Sequence, residues 1–440
     1  MSPEDTGSEG VPTERSDGPL RGIRVLDVGT RISAPFCAGL LGELGADVIK
    51  VELPGRGDFM RTIGPFVGAA GRPADAGVDG GAPAGAGGTG SRGDPYSLFW
   101  AVEGRGRRGA TCDLRTPEGQ DLFRRLAARA DVLCENFRPG TMEEWGLGPE
   151  SLDPSLVYVR ISVFGQDGPY SRRPGLDRLG IAYGGLLHLT GERDRPPVRP
   201  GVTISDYLTG VFAAMAAVAG LYRRDIGSAD PERGTGSVID APLYAAVLRV
   251  LEWTLAGYDR LGTVRSREGN RLPHSAPLDN YPTGDGTYVC IVAGSDANFA
   301  RLCRAMDRAD LAADDRFATL AKRAEHGDEI NDIVAAWTSG MSAGEIEERC
   351  VAYDVPVGTA YTAADIFADP HMAARGDLID VEDPVLGTIR QQAPFPRFVG
   401  RRPPVPSGAP LLGGDNRAVW CDLVGLSEAE LDDLTARGVL

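Results

Sequence analysis

The chain has 440 residues, enough for two domains or one elaborated domain. Hydrophobic residues make up 42% and charged residues 25%, an ordinary globular balance that sets a disordered chain aside. With 62 acidic against 46 basic side chains the net charge is −16, which argues against a nucleic-acid backbone or an anionic membrane as partner and obliges any polyanionic ligand to find a local basic patch.

Residues 1–19 read as a polar, unordered lead-in without the apolar stretch of a signal peptide. The first predicted strand is IRVLDVG (23–29), followed by the apolar segment APFCAGLLGELG (34–45) and a second strand, DVIKVEL (47–53). This β-α-β alternation predicts a parallel sheet and an α/β fold. The Gly/Ala-rich stretch 67–94 lacks periodicity and is expected to be a flexible surface loop. ATCDL (110–114) resumes the pattern, and TPEGQDLFRRLAARA (116–130) predicts an amphipathic helix with Thr116 as N-cap and Pro117 at its first position. DVLCENF (131–137) and LVYVRIS (156–162) are further strands, and the nearly apolar helix DYLTGVFAAMAAVAGLYRR (206–224) is expected to lie buried on the sheet. A strand SVIDA (237–241) and one long helical stretch, LYAAVLRVLEWTLAGYDRL (243–261), complete this part. No apolar run is expected to approach the roughly 20 residues that span a bilayer.

From about residue 270 the texture changes. NYPTGDGTYVCIVAG (280–294) predicts a hairpin around a Gly-Asp-Gly turn, and helices rich in Arg and Asp run from about 296 to 350, as in a smaller second domain. Residues 355–370 and 427–438 restore helix and strand character. Seven cysteines (Cys37, Cys112, Cys134, Cys290, Cys303, Cys350, Cys421) show no metal-type spacing and read as reduced core residues of a cytoplasmic protein. The four histidines, His188, His274, His326 and His371, are scattered, so no metal site is expected.

Chemistry-bearing candidates are few. Asp206 opens an apolar helix, where it reads either as an acidic first-turn residue favoured by the helix dipole or as a carboxylate free to act as nucleophile or base. Arg105, Arg107 and Arg108 form the densest basic cluster, a solvated turn or a phosphate-binding patch. Asn136 to Gly140 follow a strand, either as a tight turn or at the sheet edge where open α/β folds bind ligands.

Six blocks, in order from about residue 20 to 400, give the chain a resemblance: IRVLDVGTRISAPFCAGLLGELGADVIKVELPGRGDFMR, DLRTPEG, DVLCENFRPG, FGQDGPYSRRPGLD, TISDYLTG and FADPHMAARG. Together they resemble the family III CoA-transferases, which include formyl-CoA transferase, the carnitine-handling CoA-transferase and the 2-methylacyl-CoA racemases. The resemblance implies a Rossmann-like large domain built from both chain ends, a smaller inserted α+β domain, and a homodimer of two interlocked subunits. Set beside the texture change, it puts the large domain at 20–242 and 367–440, the small domain at 271–340, and linkers at 243–270 and 341–366.

The resemblance also implies roles. Asp206 falls at the family's catalytic aspartate, which attacks an acyl-CoA to give an aspartyl-acyl anhydride and then an aspartyl-CoA thioester. CoA and acyl-CoA are then substrates, with a carboxylic acid as acceptor, and no permanently bound cofactor is expected. Arg31, Ile32 and Ser33 match the segment along CoA and the active site, Arg107 a nucleotide contact, and Asn136 and Phe137 the adenine side. Lys50 and Arg61 are further phosphate neighbours or surface charges. The family's arginine after the ENF motif is Glu144 here. Racemases carry a histidine thirty residues before the aspartate; Leu176 stands there, and Asp177 beside it either lines the site or caps the next segment. Formyl-CoA transferases have glutamine where Ile32 stands, and with the apolar LLHLTG stretch (186–191) this points to an acyl group less polar than oxalyl or formyl. A racemase or isomerase and a catalytically idle CoA-binding homologue are the alternatives.

Overall fold

The computed structural model describes residues 18–68, 95–226, 234–399 and 405–440; the lead-in before residue 18 and the loop from 69 to 94 lie outside them. The chain divides into two compact units, one of residues up to 184 with 202–250 and 376–440, the other of 185–201 with 251–375.

In the first unit, β1 (Arg24–Asp27), β2 (Asp47–Glu52), the two-residue β3 (Phe66–Val67) and β4 (Tyr96–Ser97), then β5 (Arg108–Thr111), β6 (Val132–Glu135), β7 (Val157–Ser162) and β8 (Val238–Pro242) follow in order. Six of them form one sheet in the order β5-β2-β1-β6-β7-β8, every pair parallel. The inner strands β1, β2, β6 and β7 are buried almost throughout because both of their faces are covered. Successive side chains point to opposite sides, so Val25, Val48, Val132 and Val157 meet the helices Ser33–Glu43 and Ile204–Ile226, while Leu26, Ile49, Leu133 and Tyr158 meet Leu122, Phe123 and Leu126 of the helix Pro117–Ala127. That last helix starts as its sequence predicts, with Thr116 Oγ1 accepting from Gly119 N at 3.1 Å and Pro117 in the first turn.

The helix Ile204–Ile226 corrects one expectation: with 23 residues it is long and apolar enough to cross a membrane by length and composition. Its small buried residues, among them Ala213, Ala214 and Ala217, lie on the sheet, which accounts for that composition. The long helix expected over 243–261 is instead two, Leu243–Arg249 and Thr254–Leu261, broken where Glu252 takes a left-handed φ of 54°.

The second unit has its own core around Tyr281, Val289, Ile291, Phe299, Leu302 and Ile330. Its sheet contains β9 (Leu278–Pro282), β10 (Tyr288–Val292) and β11 (Val357–Thr359); β9 and β10 form the antiparallel hairpin predicted around Gly284-Asp285-Gly286. Its helices include Asp296–Ala305, Gly327–Thr338 and Ala343–Ala352.

The chain returns to the first unit with the hairpin β12 (Leu378–Asp383) and β13 (Gly387–Gln392) and a final segment that packs on the large sheet. Trp420 is fully buried there, and its Nε1 donates to Thr111 O at 3.1 Å. Trp420→Ala is expected to cost about 3–5 kcal/mol through the cavity and the lost bond, read as a lower unfolding midpoint in denaturant or heat.

Candidate active site

The chain builds β1, β2 and β5 outward in one direction and then returns to place β6 on the other side of β1. The connections leaving the carboxyl ends of β1 and β6 therefore diverge, and such a switch point opens a crevice in a parallel sheet. A cleft of 370 Å³ lies beyond these strand ends, lined by Thr30, Arg56, Phe59, Arg115, Phe137 and Trp145 among others. Phe137 and Trp145 meet edge to face with centroids 5.1 Å apart, giving an aromatic wall. Arg56 is exposed, and Arg115 is paired with Asp113 at 2.7 Å while its own side chain stays open to solvent. Aromatic and guanidinium groups around a cavity of this size suit a nucleotide.

Beneath the cleft lies a buried ionic cluster. Lys50 Nζ, 1% exposed, sits 2.7 Å from Asp58 Oδ2 and 3.4 Å from Asp27 Oδ1, and also donates to Gly29 O. Arg107 pairs with Asp27 Oδ2 at 2.7 Å and donates to Pro35 O at 2.6 Å. Arg61 makes a two-point contact with Glu52, at 2.8 and 2.7 Å, under the Trp100 ring. Burial opposes the charge on Asp58, but Lys50 and the N–H groups of Met60 and Arg31 outweigh it and hold the carboxyl below its usual range. For Lys50 too burial acts against the charge, and Asp27, Asp58 and Glu52 together keep its pKa above normal.

Several residues expected on the nucleotide are thereby turned inward. Arg107, Lys50 and Arg61 are each paired with buried carboxylates, and of the three Lys50 also lines the cleft. Ile32 is buried in an apolar cluster with Met60, Tyr96 and Trp100. Asn136 clamps the loop after β1: Oδ1 accepts from Thr30 N at 2.8 Å, and Nδ2 donates to Thr30 O at 2.7 Å and Ser33 Oγ at 3.2 Å. Ser33 is likewise buried, whereas Phe137 lines the cleft. Arg105 pairs with Glu43 at 2.7 Å and Arg108 with Asp47, so the cluster read as a solvated turn or a phosphate patch is held in ion pairs. The sequence did carry a signal for this: Lys50 and Glu52 alternate with apolar residues in a buried strand, and charges inside such a strand need partners.

Arg31 is different. Its backbone is left-handed, φ 66°, and its N–H donates to Asp58 Oδ1 at 3.0 Å. The guanidinium lies 3.9 Å above the Phe59 ring, and among the described residues it has no carboxylate bound to it.

Asp206 is in the first turn of the helix Ile204–Ile226. It is partly buried and, among the described residues, accepts no hydrogen bond. Its pKa is raised to about 7, chiefly by burial and secondly by the charge of Asp177, against which Arg31 acts. Asp177 itself is buried, and its Oδ1 accepts from Ser205 N at 2.9 Å and Ser205 Oγ at 2.8 Å, so it caps the helix that carries Asp206. The helix Asp177–Tyr183 approaches closely because residue 180 is glycine; a Cβ there would stand 2.6 Å from Ser205 Oγ. The neighbouring Tyr207 donates to Glu103 Oε1 at 2.8 Å and packs edge-on against Phe36, fixing the helix start against its surroundings.

The raised pKa has a thermodynamic consequence. The folded state prefers the protonated carboxyl, so between pH of about 4 and 7 it binds more protons than the unfolded chain, and stability falls as pH rises through that window. Asp206→Asn is therefore expected to stabilise the protein by about 1–3 kcal/mol at pH 8, with the gain shrinking toward pH 4; thermal unfolding of both proteins across pH measures it.

A parallel sheet with a cleft beyond the strand ends at its switch point defines the chain as a protein of the α/β class. Residues 20–416 match CoA-transferase family III, and the chain belongs to that family as an enzyme of CoA transfer from an acyl-CoA to an acid. It is 41% identical to the succinyl-CoA–D-citramalate CoA-transferase of Chloroflexus aurantiacus, over 98% of this chain and 100% of that one. It is 34% identical to the succinyl-CoA:mesaconate CoA-transferase of Haloarcula hispanica, over 94% of this chain and 100% of that one. A crystal structure of a CaiB/BaiF family protein from Brucella suis superimposes with a TM-score of 0.78 at 32% identity, covering 92% of this chain and 99% of that one.

Proposed function

We propose that this CoA-transferase takes CoA from succinyl-CoA or a similar short dicarboxylic acyl-CoA and delivers it to a second dicarboxylic acid, with Asp206 as the nucleophile. The observation that carries the assignment is the state of Asp206, a partly buried carboxylate without a hydrogen-bond donor among the described residues and with its pKa raised to about 7. The dicarboxylic substrates rest on the relatives, named for succinyl-CoA with citramalate, malate, mesaconate or glutarate.

The Asp206 carboxylate attacks the thioester carbonyl, expelling CoA thiolate and leaving an aspartyl-acyl anhydride. The thiolate attacks the aspartyl carbonyl of that anhydride, releasing the donor acid and forming an aspartyl-CoA thioester. The acceptor carboxylate then attacks this thioester, and the freed thiolate takes the acceptor's carbonyl from the second anhydride, restoring Asp206. Anhydride and thioester conserve the free energy that an ordinary ester would dissipate. Acylation also removes the negative charge that burial and Asp177 disfavour. With about 1.4 kcal/mol per pKa unit, that relief is worth up to about 4 kcal/mol toward the anhydride.

CoA is read as lying with its adenine against Phe137 and Trp145 and its phosphates near Arg56 and Arg115. A racemase needs a proton carrier on each face of the α-carbon, and Leu176, the residue before Asp177, offers none. An idle homologue is disfavoured by the intact, activated Asp206.

Intact-protein mass spectrometry after incubation with succinyl-CoA, in the presence of hydroxylamine, is expected to show modification at Asp206 and none in Asp206→Ala. Labelling elsewhere, or solvent deuterium entering the acyl α-carbon in its place, would refute the assignment.

We further infer a homodimer, with residues 185–201 and 251–375 serving as the inserted small domain, and a cytoplasmic setting in keeping with seven unpaired cysteines. Val211, Met215, Tyr222 and Ile226 form an exposed apolar line along the Asp206 helix, which suits a subunit interface. Met215→Glu combined with Tyr222→Glu is expected to shift the mass measured by light scattering from dimer to monomer; a monomeric wild type would remove the dimer.

A further inference from the structure

We propose that Arg31 is the specificity-determining residue that binds the non-reacting carboxylate of the dicarboxylic acyl group, and that Asp58 is the positioning residue that holds it in place. The inference rests on the transfer reading above and names the group that distinguishes a dicarboxylic from a monocarboxylic substrate.

The backbone makes the first argument. A non-glycine residue at φ 66° costs on the order of 1 kcal/mol, and it persists only where the surroundings impose it. Here they do so from both sides. Asp58 Oδ1 accepts from Arg31 N at 3.0 Å and from Thr30 Oγ1 at 3.1 Å, while Asn136 binds both the N–H and the carbonyl of Thr30, at 2.8 and 2.7 Å. Asp58 is in turn fixed by Lys50 at 2.7 Å, by Met60 N at 2.9 Å, and through its own N–H to Glu52 Oε1 at 2.7 Å. A buried lysine and several hydrogen bonds are thus committed to the conformation of one loop residue.

The side chain makes the second. The Arg31 guanidinium carbon lies over the Phe59 ring at 3.9 Å, a contact that leaves its N–H donors without a hydrogen-bond partner among the described residues. Most buried or half-buried guanidiniums in this unit, including Arg61, Arg105, Arg107 and Arg160, are already paired with carboxylates. Arg31 has no such partner among the described residues, and it is not hydrogen-bonded to Asp206, although its charge acts on that group. Arg31 is thus a planar guanidinium held on a fixed backbone, without a carboxylate partner among the described residues, whose charge acts on Asp206 without a hydrogen bond to it. In the proposed arrangement a short dicarboxylic acyl group presents one carbonyl carbon to Asp206 and its other carboxylate to the fork of donors.

The test compares acylation of Asp206 by succinyl-CoA and by butyryl-CoA, which has the same chain length without the second carboxylate, by intact mass under hydroxylamine. Wild type is expected to react at least tenfold faster with succinyl-CoA. Arg31→Gln should slow succinyl-CoA at least tenfold and change butyryl-CoA less than threefold, erasing the preference; Arg31→Lys should restore part of it. Asp58→Asn, which weakens the hold on the Arg31 backbone, should reduce the same ratio with Arg31 intact. An Arg31→Gln protein that keeps its preference for succinyl-CoA, or one slowed equally with both donors, overturns the proposal while leaving Asp206 as nucleophile. Absence of labelling with either donor in wild type overturns the transfer reading and this proposal together. Where Asp58→Asn fails to fold, the Arg31 pair decides by itself.

Discussion

The structure turns on the burial of Lys50 between Asp27 and Asp58. Removing these charges from water is costly, and only close mutual pairing makes the arrangement tolerable. Such a cluster is weak evidence of added stability. Its value is geometric: it ties the carboxyl end of β1 to β2, to the turn that starts at Asp58, and through Arg107 to β5. Losing one member would leave another charge buried and unpaired. The loop that runs from Gly29 to Ser33 is consequently held in one conformation.

The same loop links the sheet to the chemistry. Thr30 faces the cleft at the switch point, Arg31 sends its charge toward Asp206, and Ile32 roots the loop in the core. On the other side, Asp177 and Ser205 fix the first turn of the helix that carries Asp206. Asp206, the proposed nucleophile, is therefore held by the elements around it, while its own oxygens remain without hydrogen-bond donors among the described residues. A carboxylate so placed is poorly stabilised as an anion, which is the condition under which acylation gains most.

The proposed division of labour follows from which groups are already satisfied. Guanidiniums paired inside the fold have little to offer a ligand, and those left without a partner are the ones free to bind one. By this criterion the proposed nucleotide contact passes from Arg107 to Arg56 at the cleft, and the acyl carboxylate to Arg31; Arg115, though paired with Asp113, keeps its side chain open to solvent there.

The sequence by itself determined the parallel α/β character, the helix start at Thr116 and Pro117, the hairpin over 280–294 and the placing of Asp206, because each is a local pattern of periodicity, capping or motif. The family resemblance carried the transfer chemistry. Only the tertiary structure decided which charges face inward. Lys50, Arg61 and Arg107 look like ligand contacts in a linear reading, since a charge pairs with whatever lies nearby in space and their partners are set by strand order and loop approach. The same holds for Asn136, whose amide meets a loop more than a hundred residues earlier in the chain. Nor does local pattern foresee the left-handed backbone of Arg31, an ordinary residue forced into that state by Asp58 and Asn136 after the sheet has brought β1, β2 and β6 side by side.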